Sequence, residues 1–473
     1  MEKYKYLLKN VGLMTISNFG SKILSFLLVP LYTSVLSTSE YGTYDLYVIT
    51  IFLLTPILSL NIVEALMRFS LDEENDKSAV FMGALFHYGI ACLACVLMVC
   101  INSSFRIIKS FCEYPLFFIL YFALSLLSDL MIQFARGLEK LTDVAVAGII
   151  NSGIMLSLNV LFLLVFKLGL SGYFLANCSA FFASSVYLFF RLNVWKYFDI
   201  SEIFDLRKKM TQYSKPMILN TIGWWINNAS DKYVVTWLCG TAVNGIFSVA
   251  YKIPSILTML QTIFNQAWTI SAVKEFDDKS GEFYSNTYTV YNAILVLCCS
   301  MLIVFNKLVA RLLFAKEFYM AWEFAPFLMI AVIFSSLSGL LGGIFAAAKK
   351  SNVYGKTTMV GAIVNIFANI VLVLLYGAIG AAIATVISNV IVWMARVAEA
   401  NKIISLKINH KRNIISYGII GIQAIYMLAC KNELLLYCGE GICALSVILM
   451  YWRDLKPIIL KIIGMERKLG MRK

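Results

Sequence analysis

Fourteen times along this chain a run of roughly 20 mostly apolar residues gives way to a short polar turn. About 20 helical residues are what a crossing of a 30 Å hydrocarbon layer requires. A water-soluble fold has nowhere to put so many such runs. The 473 residues are 60% hydrophobic and 14% charged, against roughly a half and a quarter in soluble domains, so the surplus must face lipid. Within lipid each backbone polar group must be satisfied inside its own segment, which favours helices. The expected fold class is therefore all-α, a polytopic membrane protein of about 14 transmembrane helices. The net charge of +13 then reads as basic cytoplasmic loops rather than nucleic-acid binding.

Placing the N-terminus inside distributes Lys and Arg about four to one in favour of the cytoplasmic segments, as the positive-inside rule demands. Both termini are thus expected in the cytoplasm. Connections are short except between the sixth and seventh spans, from about Leu192 to Gln212. There Trp195, Ile203, Phe204 and Leu206 precede the run Arg207, Lys208, Lys209. That pattern fits an interfacial amphipathic helix or an ordinary solvated linker. Two weak repeats fall at nearly one offset. Gly42 with Tyr44 is echoed by Gly245 with Phe247, 203 residues on, and Gly169-Leu170-Ser171-Gly172 by Gly377-Ala378-Ile379-Gly380, 208 residues on. Parallel repeats of six helices follow from the shared sense of crossing. The expected organisation is two pseudo-symmetric six-helix bundles, residues 1–212 and 213–405, with a C-terminal helix pair and basic tail at 406–473.

No motif for covalent chemistry is present. Gly355-Lys356-Thr357 lacks the earlier glycine of a phosphate-binding loop, since Lys350 stands there. The two histidines are far apart, and Cys92 and Cys95 lie in an apolar run, where cysteine acts as a small hydrophobic filler. No catalytic residue, metal site or bound cofactor is expected, and the chain reads as a non-enzyme. The informative residues are charges inside spans, each costing about 3 kcal/mol at the bilayer centre. Lys22 lies about 18 Å past Asn10 along the first helix, near mid-membrane, with Asn18 on its polar stripe. Asn227 and Asp231 share a face of the seventh span beside Lys232, Lys252 lies in the eighth, and Asp129 in the fourth. Each has a bland alternative in snorkelling or helix packing. Read together, the lysines suggest a cationic cavity for a large anion, with Arg68 attracting it at the cytoplasmic end of the second span. Asp129 and Asp231 are candidates for coupling to H+ or Na+.

The stretch Ser17-Asn18-Phe19-Gly20-Ser21-Lys22-Ile23-Leu24-Ser25-Phe26, with Pro30-Leu31-Tyr32 and Glu40-Tyr41-Gly42-Thr43-Tyr44, resembles the start of Wzx-type polysaccharide flippases. Ala347-Ala348-Lys349-Lys350 and Tyr376-Gly377-Ala378-Ile379-Gly380-Ala381-Ala382-Ile383-Ala384-Thr385 continue the likeness, which covers roughly residues 10–400. The resemblance implies the fold of the multidrug/oligosaccharidyl-lipid/polysaccharide exporter superfamily. It also implies alternating access, a polyprenyl-pyrophosphate-linked oligosaccharide as substrate, and a polymerase with its chain-length machinery as partners. The family's basic position in the first helix falls on Lys22. A cation-coupled multidrug exporter of the same fold is the first alternative. It would want a carboxylate in the first span, and none lies between Asn10 and Leu36. A membrane polymerase or ligase is the second, and would need a far larger external loop than this chain has.

Overall fold

The computed structural model describes residues 26–199, 203–274, 276, 281–348 and 350–470. Among the described residues every regular element is helical. Ten helices are long and apolar enough to cross a membrane, and a bent pair makes an eleventh span. The other three spans read from the sequence fall on residues 10–35, largely outside the described part, and on two helices too polar for that test. The chain divides into two compact units, Met1–Ala229 and Ser230–Lys473.

In the first unit α1 (Val29–Val35), α2 (Thr38–Leu58), α3 (Ile62–Ser70) and α4 (Lys77–Phe105) are followed by α5 (Pro115–Gly137), α6 (Leu141–Val160) and α7 (Gly169–Arg191). Local chemistry sets the ends. Ser37 and Glu40 form a reciprocal capping box at α2, and the Asp76 carboxylate accepts from the Ser78 and Ala79 amides to start α4. The core at one end is aromatic. Tyr32 stacks on Tyr41 with ring centroids 4.8 Å apart, and Tyr44 meets Tyr173 edge-on at 4.5 Å. The second span is split at Ser59-Leu60-Asn61, where Leu60 and Asn61 both take φ +53°.

The helix α8 (Ile203–Cys239) carries the basic run of the long connection on its first turns. That segment is therefore helical, not a plain linker. Met210 is fully buried, Thr211 Oγ1 lies 3.1 Å from His87 Nε2 of α4, and the Ser214 hydroxyl donates to the Leu60 carbonyl at 2.7 Å.

The second unit holds the end of α8, then α9 (Thr241–Ala250), α10 (Ser255–Lys274), α11 (Gly281–Val304), α12 (Asn306–Leu313), α13 (Ala325–Ala347), α14 (Ser351–Tyr376), α15 (Ala378–Asn401), α16 (His410–Ala429) and α17 (Glu433–Gly470). Of the ten spans, α13 is the most enclosed. Apolar side chains at helical spacing, such as Ile363, Phe367, Val371 and Leu374 of α14, stand exposed, as a lipid-facing stripe should.

Both sequence repeats map onto matching positions inside their own units. Gly42 and Gly245 are each buried on the fifth residue of a helix, α2 and α9. Gly169 (φ +55°) and Gly377 (φ +64°) each turn the chain into a new helix in a conformation that favours glycine. Three residues later Gly172 and Gly380 each press against the end of the preceding helical segment. The repeats are thus two uses of one hairpin chemistry.

The C-terminal pair packs on α11 through buried polar contacts. Asn292 Nδ2 donates to Asn413 Oδ1 at 3.2 Å and to the Tyr451 hydroxyl at 3.0 Å. Ser300 donates to Gln423 Oε1 at 2.8 Å, and Gln423 Nε2 donates to Glu440 Oε2 at 2.9 Å. Glu440 is fully buried. Gln423→Leu, which strands both partners, is expected to destabilise the purified protein by about 2 kcal/mol. Thermal denaturation in detergent reads this. Adding Glu440→Leu is expected to restore the share of the loss due to the stranded buried carboxyl, leaving that of the Ser300 hydroxyl.

Candidate functional site

The site grows out of one proline. Pro254 has no amide hydrogen, and its ring clashes with the carbonyl four residues back, so the eighth span cannot run straight. It breaks at residues 251–254 and bends by 50°. Lys252 was expected within a continuous helix. It stands instead in the break, with its amide on the Val249 carbonyl at 2.9 Å and its own carbonyl accepting from the Ser255 hydroxyl at 2.5 Å.

The neighbouring residue of that break, Tyr251, links it to α8. Its hydroxyl donates to Oδ2 of Asp231, which is buried. Oδ1 of the same carboxylate accepts from the Lys232 amide at 2.9 Å, and the Lys232 ammonium sits 5.5 Å from the Tyr251 ring centroid. Two of the residues singled out from the sequence, Asp231 and Lys232, are thereby brought to Tyr251, and a third, Lys252, follows it in the chain. The Asp231 carboxylate is thus held by a tyrosine hydroxyl and a backbone amide, with the Lys232 ammonium against the ring of that same tyrosine.

Next to Asp231, the Ser230 hydroxyl donates to Asn365 Oδ1 at 3.2 Å, and Asn369 Nδ2 donates to the same oxygen at 2.9 Å. All three residues are buried. A cavity of about 300 Å³ also opens along α10 and α11, lined by Phe264, Asn286, Thr287, Val290, Tyr291 and Ile294. None of these described lining residues is cationic.

The remaining expected residues fall elsewhere. Asn227, one turn before Asp231 on α8, turns its amide back to the Gly223 carbonyl at 3.0 Å. Asp129 of α5 is exposed between buried Ser128 and Leu130, with Arg136 two turns on as an electrostatic neighbour. Arg68 is exposed in the last turn of α3. Asn18 and Lys22 lie outside the described residues. No group of three metal-binding side chains occurs among the described residues.

Sequence reasoning passed over Tyr251, Ser230, Asn365 and Asn369, and also Arg396. The Arg396 guanidinium is buried in α15. Nε donates to Thr357 Oγ1 at 3.0 Å, Nη1 to the Ser338 carbonyl at 2.9 Å and Nη2 to Thr358 Oγ1 at 2.8 Å, over the Tyr354 ring at 4.0 Å. It clamps α13, α14 and α15 together through neutral partners. Pro254 was the readable signal for the break. Nothing in the sequence pairs Ser230 with Asn365, 135 residues away.

The fold matches that of a lipid II flippase MurJ in an inward closed conformation, with TM-score 0.70, 14% identity and coverage of 93% of this chain and 98% of that one. It also matches an inward-facing multidrug resistance MATE family transporter of the MOP superfamily, with TM-score 0.68, 15% identity and coverage of 80% and 94%. In sequence, 215 residues are 22% identical to a probable low-salt glycan biosynthesis flippase, Agl15, of Haloferax volcanii. That match covers 44% of this chain and 45% of the relative's length. The family model described as polysaccharide biosynthesis protein matches residues 7–270, more than half of the chain. This multi-pass membrane protein belongs to the polysaccharide biosynthesis protein family.

Proposed function

We propose that this protein is a flippase. It moves a polyprenyl-pyrophosphate-linked oligosaccharide from the cytoplasmic to the outer leaflet by alternating access, for capsule, O-antigen or exopolysaccharide synthesis. The observation that supports this reading is the proline break of the eighth span, which holds Lys252 next to Tyr251 in the chain, with the Lys232 ammonium against the Tyr251 ring and Asp231 on its hydroxyl. Fold alone does not decide, because the same fold serves multidrug transporters and a lipid II flippase. Charge supports the lipid: Lys232 and Lys252 lie in the same stretch as Asp231, an excess of cations that favours an anion, and the pyrophosphate is the anionic part of such a lipid. Lys22 and Lys252 hold it in this reading, Lys232 assists, Asn18 and Asn227 offer hydrogen bonds to sugar, and Arg68 attracts the anion from the cytoplasm. The membrane is the bacterial inner membrane with both termini cytoplasmic, and the polymerase and chain-length machinery take the product.

Reconstitution tests it. Proteoliposomes loaded with a fluorescent polyprenyl-pyrophosphate oligosaccharide should expose it to a membrane-impermeant glycosidase only when the protein is present. Transport of cationic drugs without movement of the lipid would overturn the reading in favour of an exporter.

Energy enters at Asp231 in this reading. Binding of H+ or Na+ there weakens its hold on Tyr251 and the lysines and frees them for the pyrophosphate. Asp231→Asn is expected to remove the dependence of flipping on the ion gradient while leaving residual downhill movement, measured in the same vesicles with and without an imposed gradient. Asp129→Asn is the parallel test in the first unit. Unchanged gradient dependence in both variants would exclude these carboxylates.

A further inference from the structure

The basic run at the start of α8 is left without a role by the site at Lys252, and its geometry is specific. The Arg207 guanidinium carbon lies 4.3 Å from the Phe86 ring centroid and 5.4 Å from that of Phe204. Stacking uses the faces of the guanidinium and leaves its N–H edge for a planar acceptor. Lys208 stands one helical turn after Phe204 and is exposed, as are Lys209 and Lys215. Among the described residues none of these four cations is in an ion pair, although Asp205 lies nearby on the same helix.

The depth of this cluster can be read from α4. Its exposed apolar side chains, Phe86, Ile90, Leu93, Leu97, Ile101 and Phe105, begin at Phe86 and recur at helical spacing. From Phe86 to Phe105 the helix rises about 29 Å at 1.5 Å per residue, the thickness of a hydrocarbon core. Phe86 therefore marks the lipid–water boundary. Arg207, which covers Phe86, sits where lipid phosphates lie. The first unit, through Met210 and Ser214, holds α8 in that position.

We propose that Arg207 and Lys208, with Arg207 aimed by Phe86 and Phe204, form a binding site for the phosphodiester headgroup of an anionic phospholipid. The guanidinium supplies a two-pronged contact to phosphate oxygens, and the ammonium adds charge from the next turn. Exposed Phe204 dips into the acyl boundary, as aromatic side chains do at this level. The proposal does not rest on which substrate crosses the membrane.

The test is native mass spectrometry of the full-length protein in mild detergent, titrated with phosphatidylglycerol or phosphatidylcholine. The wild type should retain phosphatidylglycerol in preference to phosphatidylcholine. Arg207→Gln with Lys208→Gln should lower that retention by about tenfold or more, since each basic residue near an anionic surface contributes about 1 kcal/mol. Arg207→Lys should recover part of it. Lys208→Gln alone, at an exposed position, gives a smaller loss in the same direction and keeps the test valid if the double variant does not fold. Equal retention by wild type and the variants would overturn the proposal. So would displacement of the lipid by equimolar inorganic phosphate, which would make the ligand a free anion.

Discussion

Lys22→Ala combined with Lys252→Ala is expected to abolish surface glycan in a flippase-null strain while membrane protein level stays normal. A charge-assisted contact to a phosphate oxygen is worth about 1.5–3 kcal/mol, so losing two lowers flux on the order of a thousand-fold. The reason for so large an effect is the medium. An ammonium–phosphate attraction scales inversely with dielectric, and a partly dehydrated site in a membrane helix is far from bulk water. Lys252 also stands in the break of the eighth span, where the chain is not committed to a helical repeat. Lys252→Arg should keep part of the activity, because charge survives but a rigid fork replaces a mobile ammonium. Lys232→Ala should cost less, since its ammonium is already engaged with the Tyr251 ring. Radiolabelled surface polysaccharide is the readout, and full export by the double variant would show that both lysines serve only packing.

Gly380→Ala is expected to remove most folded protein. A Cβ on Gly380 would lie 2.0 Å from the Leu372 carbonyl oxygen and 2.3 Å from its carbon, and a backbone carbonyl inside a helix cannot move aside. The hairpin of α14 and α15 would have to open, at about 3 kcal/mol or more. Gly172→Ala, at the matching position of the first unit, meets the Leu168 Cβ at 2.9 Å and the Phe162 Cβ at 3.0 Å. The Phe162 carbonyl oxygen follows at 3.3 Å, so every contact is longer than those at Gly380 and a smaller backbone shift relieves them, for an expected cost nearer 1 kcal/mol. Melting curves of the two purified variants in detergent compare them directly. Equal stability would mean that the hairpin ends relax far more than their packing suggests.

Sequence by itself was sufficient for whatever depends on order along one helix. Apolar period, capping residues, turn glycines and the cost of a charge in lipid all act within a few residues. From these follow the helical class, the repeated hairpins around Gly169 and Gly377, and the interest of Asp231, Lys232 and Lys252. Pro254 announced the break that holds Lys252, though its consequence is plain only once the 50° bend is seen. The tertiary structure decided which helices those residues meet. A helical period states which side chains share a face, and is silent on what stands opposite. Tyr251 against Asp231, Asn365 against Ser230, Arg396 enclosed by hydroxyls and a carbonyl, and Gln423 between Ser300 and Glu440 all join segments remote in the chain. Buried polar groups must find hydrogen-bond partners, but that rule fixes only that a partner exists. Which one it is depends on the packing of whole helices, a property of the folded units and of no single stretch of the chain.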